Sequence, residues 1–241
     1  MEIYFGVIKF LLGLCLGSFV NMLTYRTALR YEITRNKLQG TNQKRSFCDH
    51  CGKQLKWFDN VPLLSWLLLK GKSRCCDKKL SISYPLVELL LGILFLVSDY
   101  WLWPIEVFLV FSLVFDLKYM ILPDFSTYIL IGWATIFNHF LLASLGSFLF
   151  LLILYLVTKG KGIGFGDVKL AIFMGMFLGF PKILVAYYLA FIIGAIIGVI
   201  LIILKIKKRT DPIPFGPFLI GATGISWWWG DKLMEIIKIW L

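Results

Sequence analysis

Two aspartates in this chain sit where a carboxylate is expensive. Asp116 follows directly on the apolar stretch Phe111-Ser112-Leu113-Val114-Phe115, and Asp167 closes Gly164-Phe165-Gly166-Asp167 at the opening of the next apolar segment. Ionisable residues at membrane depth are rare because burial is costly, and those that persist generally have a task. Two carboxyls sharing a site cannot both ionise cheaply. One keeps its proton and can donate it to a scissile carbonyl, while the other takes a proton from water, and the two titrate as a unit. That is the chemistry of an aspartic peptidase. Gly164 and Gly166 would let backbone or substrate come close to the second acid. Asp167 has a plainer reading as a helix N-cap, and so does Asp124 in Pro123-Asp124-Phe125-Ser126. Asp116 does not, since no cap is needed inside an apolar segment, and a surface pairing with Lys118 would not explain its position. Glu88 follows Tyr84-Pro85 at a helix start, where the helix dipole favours an acid. Glu106 is expected near the opposite membrane face.

A second constellation is Cys48-Asp49-His50-Cys51 followed, after 23 intervening residues, by Cys75-Cys76. Four thiols on a small loop in a reducing compartment favour a metal over disulfides. Zinc in a ribbon-like site would supply folding energy that so small a unit lacks. The second half is irregular, because Ser73-Arg74-Cys75-Cys76 has serine where a CxxC knuckle begins, and adjacent cysteines rarely both reach one tetrahedral metal. His50 is a substitute ligand, and a degenerate knuckle held by packing alone is the competing reading. Cys15, in the first apolar run, reads as a small apolar residue.

These groups must be positioned by membrane-length elements. The chain has 241 residues, 59% of them hydrophobic, more apolar surface than a soluble domain requires. Apolar runs fall at roughly 3–23, 85–103, 105–122, 126–142, 143–158, 168–181, 183–204 and 213–230. The first lacks a cationic segment ahead of it and a small-residue cleavage signal behind it, and reads as a retained helix. The stretch 126–158 has Lys118 before it and Lys159 and Lys161 after it, so two crossings separate basic ends on one side. Loop 24–84 carries 13 of the 25 Lys/Arg, and counting Lys118, Lys159, Lys161, Lys169, Lys205, Lys207, Lys208 and Arg209 puts 21 on the same side. Only Lys182, Lys232 and Lys238 fall opposite, with Lys9 inside the first helix. The expectation is an all-α polytopic membrane protein of about eight transmembrane helices, with its N-terminus outside and loop 24–84 cytoplasmic. The net charge of +11 is then a topology signal with some attraction to anionic lipid, not a nucleic-acid footprint. Trp227, Trp228 and Trp229 suit the outer interface of the last helix. Neither an internal repeat nor a low-complexity tract is evident.

In order along the chain, these residues resemble the type IV prepilin peptidases, the bifunctional leader peptidase/N-methyltransferases of pilus, type II secretion and competence systems. Gly17-Ser18-Phe19-Val20-Asn21 with Tyr25-Arg26 resembles the first-helix signature. Cys48-x-x-Cys51, Leu55, Trp57, Asp59-Asn60, Pro62, Ser65, Gly71-Lys72 and Tyr84-Pro85 with Glu88 follow the loop order. Asp116-Leu117-Lys118-Tyr119-Met120-Ile121-Leu122-Pro123-Asp124 is similar to the first aspartate motif and Gly164-x-Gly166-Asp167-Val168-Lys169-Leu170 to the second. Ile213-Pro214-Phe215-Gly216-Pro217-Phe218 is similar to the motif that opens the last helix. The resemblance implies catalytic Asp116 and Asp167, supported by Gly164, Gly166, Asp124 and Lys169. It implies prepilin or pseudopilin substrates whose basic leader is cut on the cytoplasmic side of the bacterial inner membrane. It also implies methylation of the new N-terminal amine from S-adenosylmethionine. The metal ligands would be Cys48, Cys51, Cys75 and Cys76, with the family's tetracysteine interrupted at Ser73. The implied organisation is a first helix (1–23), a cytoplasmic loop domain with the methyltransferase region (24–84) and a peptidase domain (85–241). No glycine-rich nucleotide fingerprint locates the methyl donor, and Asn21, Asp59 and Asn60 are its candidate contacts.

Three other readings compete. A peptidase without methyl transfer would tend to lack loop 24–84. A transporter would place acids at mid-membrane among symmetric repeats. A scaffold using the knuckle to dock a partner would tolerate asparagine at both aspartates.

Overall fold

The computed structural model describes residues 2–31, 33, 46–48, 50–137, 140–209 and 211–240, without the side chains of 2, 3 and 236–240. The basic tract of 34–45, Asp49 of the first knuckle and residues 138–139 of the fourth apolar run lie outside the described residues. Among the described residues eight long helices match the eight apolar runs: α1 Glu2–Arg30, α3 Ser83–Val97, α4 Trp103–Tyr119, α5 Asp124–Phe137, α6 Leu141–Val157, α7 Phe165–Leu178, α8 Lys182–Ile203 and α9 Gly216–Trp240. A short helix, α2 (Leu64–Leu68), and a 3-10 turn at Trp57–Asn60 lie in the loop. Among the described residues the only β pairing is two isolated bridges, so the fold is all-helical. Among the described residues two helices, α1 from Tyr4 to Arg30 and α8, are long and apolar enough to cross a membrane by length and composition. The shorter helices still turn large apolar side chains outward: Leu141, Leu142, Leu145, Leu149, Ile153 and Leu156 of α6 are all exposed. In water this would be an aggregating surface, and its composition suits contact with lipid.

The chain divides into two compact units, Met1–Val114 and Phe115–Leu241. In the first, α1 packs along α3 at very short range. A Cβ on Gly13 would lie 2.5 Å from the carbonyl oxygen of Leu91, and one on Gly17 would lie 2.5 Å from the Cα of Glu88. Gly92 returns the contact against Phe10 and Leu14. Small residues four apart let membrane helices approach backbone to backbone, which compensates for the weak drive of apolar side chains already in lipid.

The loop contains a repeat that the sequence reading missed. Cys48 N–H donates to Lys53 O and Gly52 N–H to Cys48 O; Ser73 N–H donates to Lys78 O and Asp77 N–H to Ser73 O. The bridges Phe47–Gln54 and Lys72–Lys79 close the two turns in the same way, and Gly52 and Asp77 both take the left-handed conformation (φ 71° and 53°). The two knuckles are one backbone motif used twice, 25 positions apart. Only Cys51/Cys76, Lys53/Lys78 and Leu55/Leu80 are identical between them, too few to register as a repeat by eye.

In the second unit α7 is the central helix, buried at every position from Phe173 to Leu178. Gly175 brings it against the backbone of Ala143 and Ser144 in α6. The Ser144 and Ser147 hydroxyls donate to the carbonyls of Ile172 and Ala171 (2.9 and 2.7 Å), and Ser226 of α9 donates to Lys182 O of α8 (2.6 Å). Such interhelical bonds serve where no water competes.

Candidate active site

Helix α4 carries Asp116 to within one turn of its end, and the last helical hydrogen bond is from Met120 N–H to Asp116 O (2.8 Å). Met120 then takes the left-handed conformation (φ 56°) and releases the chain into the extended segment 121–123. Helix α7 begins one residue after Gly164, its N-cap. Asp167 is therefore not the N-cap that the plainer reading suggested. It stands three residues further in, and its Oδ2 accepts the Gly164 N–H at 3.1 Å. The helix start fixes the carboxylate's rotamer and supplies a donor that would otherwise lack a partner.

The structure brings both acids together in the second unit. Asp116 and Asp167 are buried, 5% and 6% exposed, and the Asp116 carboxylate acts electrostatically on Asp167. Asp116 is held as its partner is, by a backbone N–H from a glycine at a helix start, here Gly216 at the first residue of α9. A Cβ on Gly216 would come within 2.5 Å of Asp116 Oδ2, so only glycine lets this amide approach. Gly166 has a related role: its Cβ would lie 3.0 Å from Leu122 Cβ, and Leu122 Cδ1 stands 3.4 Å from the Cβ position of Gly216. Buried Leu122 thus wedges between the two glycine turns and sets how closely α7 and α9 approach the end of α4.

Gly216 and Leu122 are the positions that sequence reasoning quoted in motifs without assigning a role. No local signal marks a residue that acts through its lack of a side chain. Asp124 and Lys169 lie differently from the pair. Asp124 is half exposed and forms an ion pair with Lys169 at 2.7 Å, joining the start of α5 to the first turns of α7. Lys169 also lies over the Phe165 and Tyr128 rings (5.2 and 5.9 Å).

The four cysteines gather in the first unit, with Cys48, Cys51, Cys75 and Cys76 Sγ all within 4.8 Å of one another. Adjacency in sequence does not prevent Cys75 and Cys76 from converging. The repeated knuckle explains why: Ser73 occupies the place of Cys48, Cys76 that of Cys51, and Cys75 turns inward to make up the fourth sulfur. Cys48 and Cys76 are 3.8 Å apart, Cys51 and Cys75 3.1 Å, and Ser73 Oγ lies 3.2 and 3.1 Å from Cys48 and Cys75. Zinc–sulfur bonds of ~2.3 Å place tetrahedral sulfurs ~3.8 Å apart, so this donor set fits a metal. Burial alone would raise the Cys48 thiol, but hydrogen bonds from Ser73 and from the His50 and Cys51 amides bring it down to about 6. Ser73 favours the thiolate of Cys75 as well, yet crowding by Cys51, burial and Cys48 push it up to about 12. His50, the substitute ligand considered above, bonds instead to Lys79 O (3.1 Å).

Comparison with known proteins also divides the chain in two, at the start of α4 where the compact units divide within it. Residues 11–102 match the bacterial peptidase A24 N-terminal domain, and residues 104–199 match the type IV leader peptidase family. Similar proteins include the prepilin leader peptidase/N-methyltransferase of Aeromonas salmonicida, 32% identical across 96% of this chain and 92% of the relative. Those of Xanthomonas campestris pv. campestris and Legionella pneumophila are 33% and 32% identical, each across 93% of this chain and 91% of the relative. No solved structure gives a significant match.

Proposed function

The chain belongs to the type IV leader peptidase family, and from that premise we propose that Asp116 and Asp167 cut the leader from prepilin-like proteins in a membrane enzyme that also methylates the new N-terminus. The observation that carries the catalytic assignment is the pairing itself. Two buried carboxyls from separate helices lie close enough to interact electrostatically, and each is oriented by a glycine amide at a helix start. At any moment one carboxyl holds a proton. The ionised one takes a proton from a water, whose oxygen attacks the scissile carbonyl carbon, and the protonated one gives its proton to the carbonyl oxygen. The tetrahedral diol then returns a proton through the pair to the leaving nitrogen as the C–N bond breaks. The amide donors from Gly164 and Gly216 keep each carboxylate aimed without spending a side chain on the task. Gly164 and Gly166 shape the turn behind Asp167, while Asp124 and Lys169 tie α5 to α7 and steady it from the surface.

The eight long helices cross the cytoplasmic membrane, with the N-terminus outside and loop 24–84 in the cytoplasm, on the charge asymmetry of the loops. This places the ends of α4 and the starts of α7 and α9 at the inner interface, where a substrate anchored by its own apolar helix presents its leader. Cys48, Cys51, Cys75 and Cys76 would hold a zinc ion that staples the loop. S-adenosylmethionine is the cofactor that N-methyl transfer requires.

The test uses purified protein in detergent or lipid with a prepilin-like substrate, read by intact mass. Wild type removes the leader, and with S-adenosylmethionine adds about 14 Da to the product. Asp116→Asn and Asp167→Asn each lose cleavage by about 10³-fold or more. Unimpaired cleavage by either variant would remove the pair from the mechanism.

A further inference from the structure

The first unit contains a cavity of about 180 Å³, walled by α1, the first knuckle, the 3-10 turn with α2, and the start of α3. One water needs only ~15 Å³, so this is a space for a molecule and not a packing defect. Its lining is mixed in a specific way. The aromatic side chains of Tyr25, Phe47 and Trp66 stand beside the carboxylates of Asp59 and Glu88 and the guanidinium groups of Arg26 and Arg74. Two acids balance the two arginines, which suits a zwitterion better than a polyphosphate, and charges of both signs disfavour an acyl chain. Aromatic faces with groups of both signs suit a ligand that combines a flat heterocycle, a cation and an amino-acid zwitterion.

Two lining residues are incompletely satisfied. Asn21, 8% exposed, donates through Nδ2 to Tyr84 O (3.1 Å), but its Oδ1 is buried with no hydrogen-bond partner. The indole Nε1 of Trp66 is likewise buried without an acceptor. Buried polar groups are nearly always paired, so one acceptor and one donor left open around a single cavity call for a ligand offering the reverse. The two acids of the wall are already engaged. Asp59 is clamped by Arg74 (2.7 Å) and the Lys56 N–H (3.0 Å), and Glu88 accepts the Leu63 N–H (2.8 Å). Cys48 and Ser73 of the sulfur cluster also line the space, so whatever holds the knuckles together also holds this wall.

We propose that this cavity binds S-adenosylmethionine, the sulfonium nucleoside that donates the methyl group, with Asn21 Oδ1 accepting from the donor and Trp66 Nε1–H donating to it. The assignment rests on the reading that the chain is an N-methyltransferase; it gives the candidate contacts Asn21, Asp59 and Asn60 a common cavity and adds Trp66 to them. When bound, the nucleoside supplies an electrophilic methyl group that an unprotonated α-amine can take, leaving a thioether and releasing one proton. The aromatic wall and the two open polar atoms account for recognition of the base and its amino groups, and the acidic residues for tolerance of a positive sulfonium beside them.

The experiment is equilibrium binding of tritium-labelled S-adenosylmethionine to the full chain in detergent, with S-adenosylhomocysteine and ATP as competitors. Wild type is expected to bind saturably and to be displaced by S-adenosylhomocysteine but not by ATP. Trp66→Phe removes only the indole N–H, and Asn21→Leu replaces the open acceptor with a side chain of similar shape; each should weaken binding by about tenfold or more. Thermal melting identifies a variant that has lost its fold, and Trp66→Phe, the milder change, then decides the matter. If wild type binds and methylates a cleaved substrate while both folded variants bind as tightly, the cavity is not the site and methyl transfer resides elsewhere in the chain. Displacement by ATP at equal concentration would overturn the sulfonium assignment. If wild type shows neither saturable binding nor methylation, the methyltransferase reading falls and this site falls with it.

Discussion

Replacing Gly216 with alanine tests the site through a residue that contributes no side chain at all. The new Cβ would stand 2.5 Å from Asp116 Oδ2 and 3.2 Å from its Cγ, where ordinary contact begins at 3.4 Å. The oxygen must therefore yield by about 0.9 Å, and the simplest relief is rotation of the Asp116 carboxyl off the Gly216 amide. A misplacement of ~1 Å at the reacting atoms costs about 10²-fold in rate. The global fold should lose little, because the clash is with the end of a short side chain and position 216 opens a helix where alanine is acceptable. Gly221→Ala is the matched control on the same helix: nothing lies within 4 Å of its Cβ, and alanine there gains helix propensity of up to ~1 kcal/mol. The assay is initial cleavage rate with a prepilin-like substrate over a range of concentrations, alongside thermal melting in the same detergent. Gly216→Ala should lower kcat by about two orders of magnitude with KM little changed, since ground-state binding does not run through Asp116. Gly221→Ala should cleave like wild type and melt no lower. Cleavage by Gly216→Ala within about threefold of wild type would refute the claim that this glycine is what admits the amide to Asp116.

The remaining expectations concern other parts of the molecule. Gly17→Ala should lower the melting temperature and the yield of folded protein, because its Cβ meets the Glu88 backbone at 2.5 Å and no side chain can rotate away; a cost of ~1–3 kcal/mol is expected. Gly132→Ala, with open space at its Cβ, should be silent in the same melt. Ser73→Cys restores the thiol that the second knuckle lacks, so zinc content should stay at one per chain while loss of metal to a chelator slows; faster loss would refute the reading of Ser73 as the Cys48 equivalent. Lys169→Met breaks an ion pair whose acid is half exposed, and should shift stability by no more than ~1 kcal/mol. A drop in cleavage as large as that of Asp116→Asn would move Lys169 into the chemistry itself.

Much of this arrangement was legible in the sequence, for physical reasons. Each apolar run produced one long helix because its prolines fall at or near the helix starts, and the basic residues on both sides of 126–158 called for two helices there, α5 and α6. Asp116 announced itself by standing inside an apolar segment. What escaped notice depends on three-dimensional proximity without a local mark. Gly216 lies 100 positions from Asp116 and acts through an amide that every residue carries; only the space around it makes it special. The plainer reading of Asp167 as an N-cap placed the helix start too late, because Phe165 and Gly166 give no helix-start signal of their own. The knuckle repeat was hidden because backbone hydrogen bonds define it, while its side chains changed: the half with Ser73 keeps the geometry of the half with Cys48 without its spelling.

Ser73 also shows how one backbone knuckle can accept a different side chain while its scaffold holds. A CxxC knuckle needs its thiols at fixed places on a tight turn, and losing the first would ordinarily leave three ligands. Here the residue before the last cysteine is itself cysteine, and the turn through Asp77 (φ 53°) brings its sulfur within the 4.8 Å cluster. Ser73 has not dropped out: its hydroxyl lies 3.2 Å from Cys48 Sγ and 3.1 Å from Cys75 Sγ, between a thiol from each knuckle. In a metal-bound cluster a serine there would bond to the ligating sulfurs instead of ligating itself, the outer-shell role that tunes thiolate sites. Compared with the first knuckle, the second has a hydrogen-bond donor where the first has a thiol, and the adjacent Cys75 supplies a sulfur in its place. The same cluster walls the cavity through Cys48 and Ser73, so removing the metal with a chelator should weaken binding of S-adenosylmethionine as well as loosen the loop. Retained affinity in metal-free protein would mean that the knuckles fold and hold that wall by packing alone.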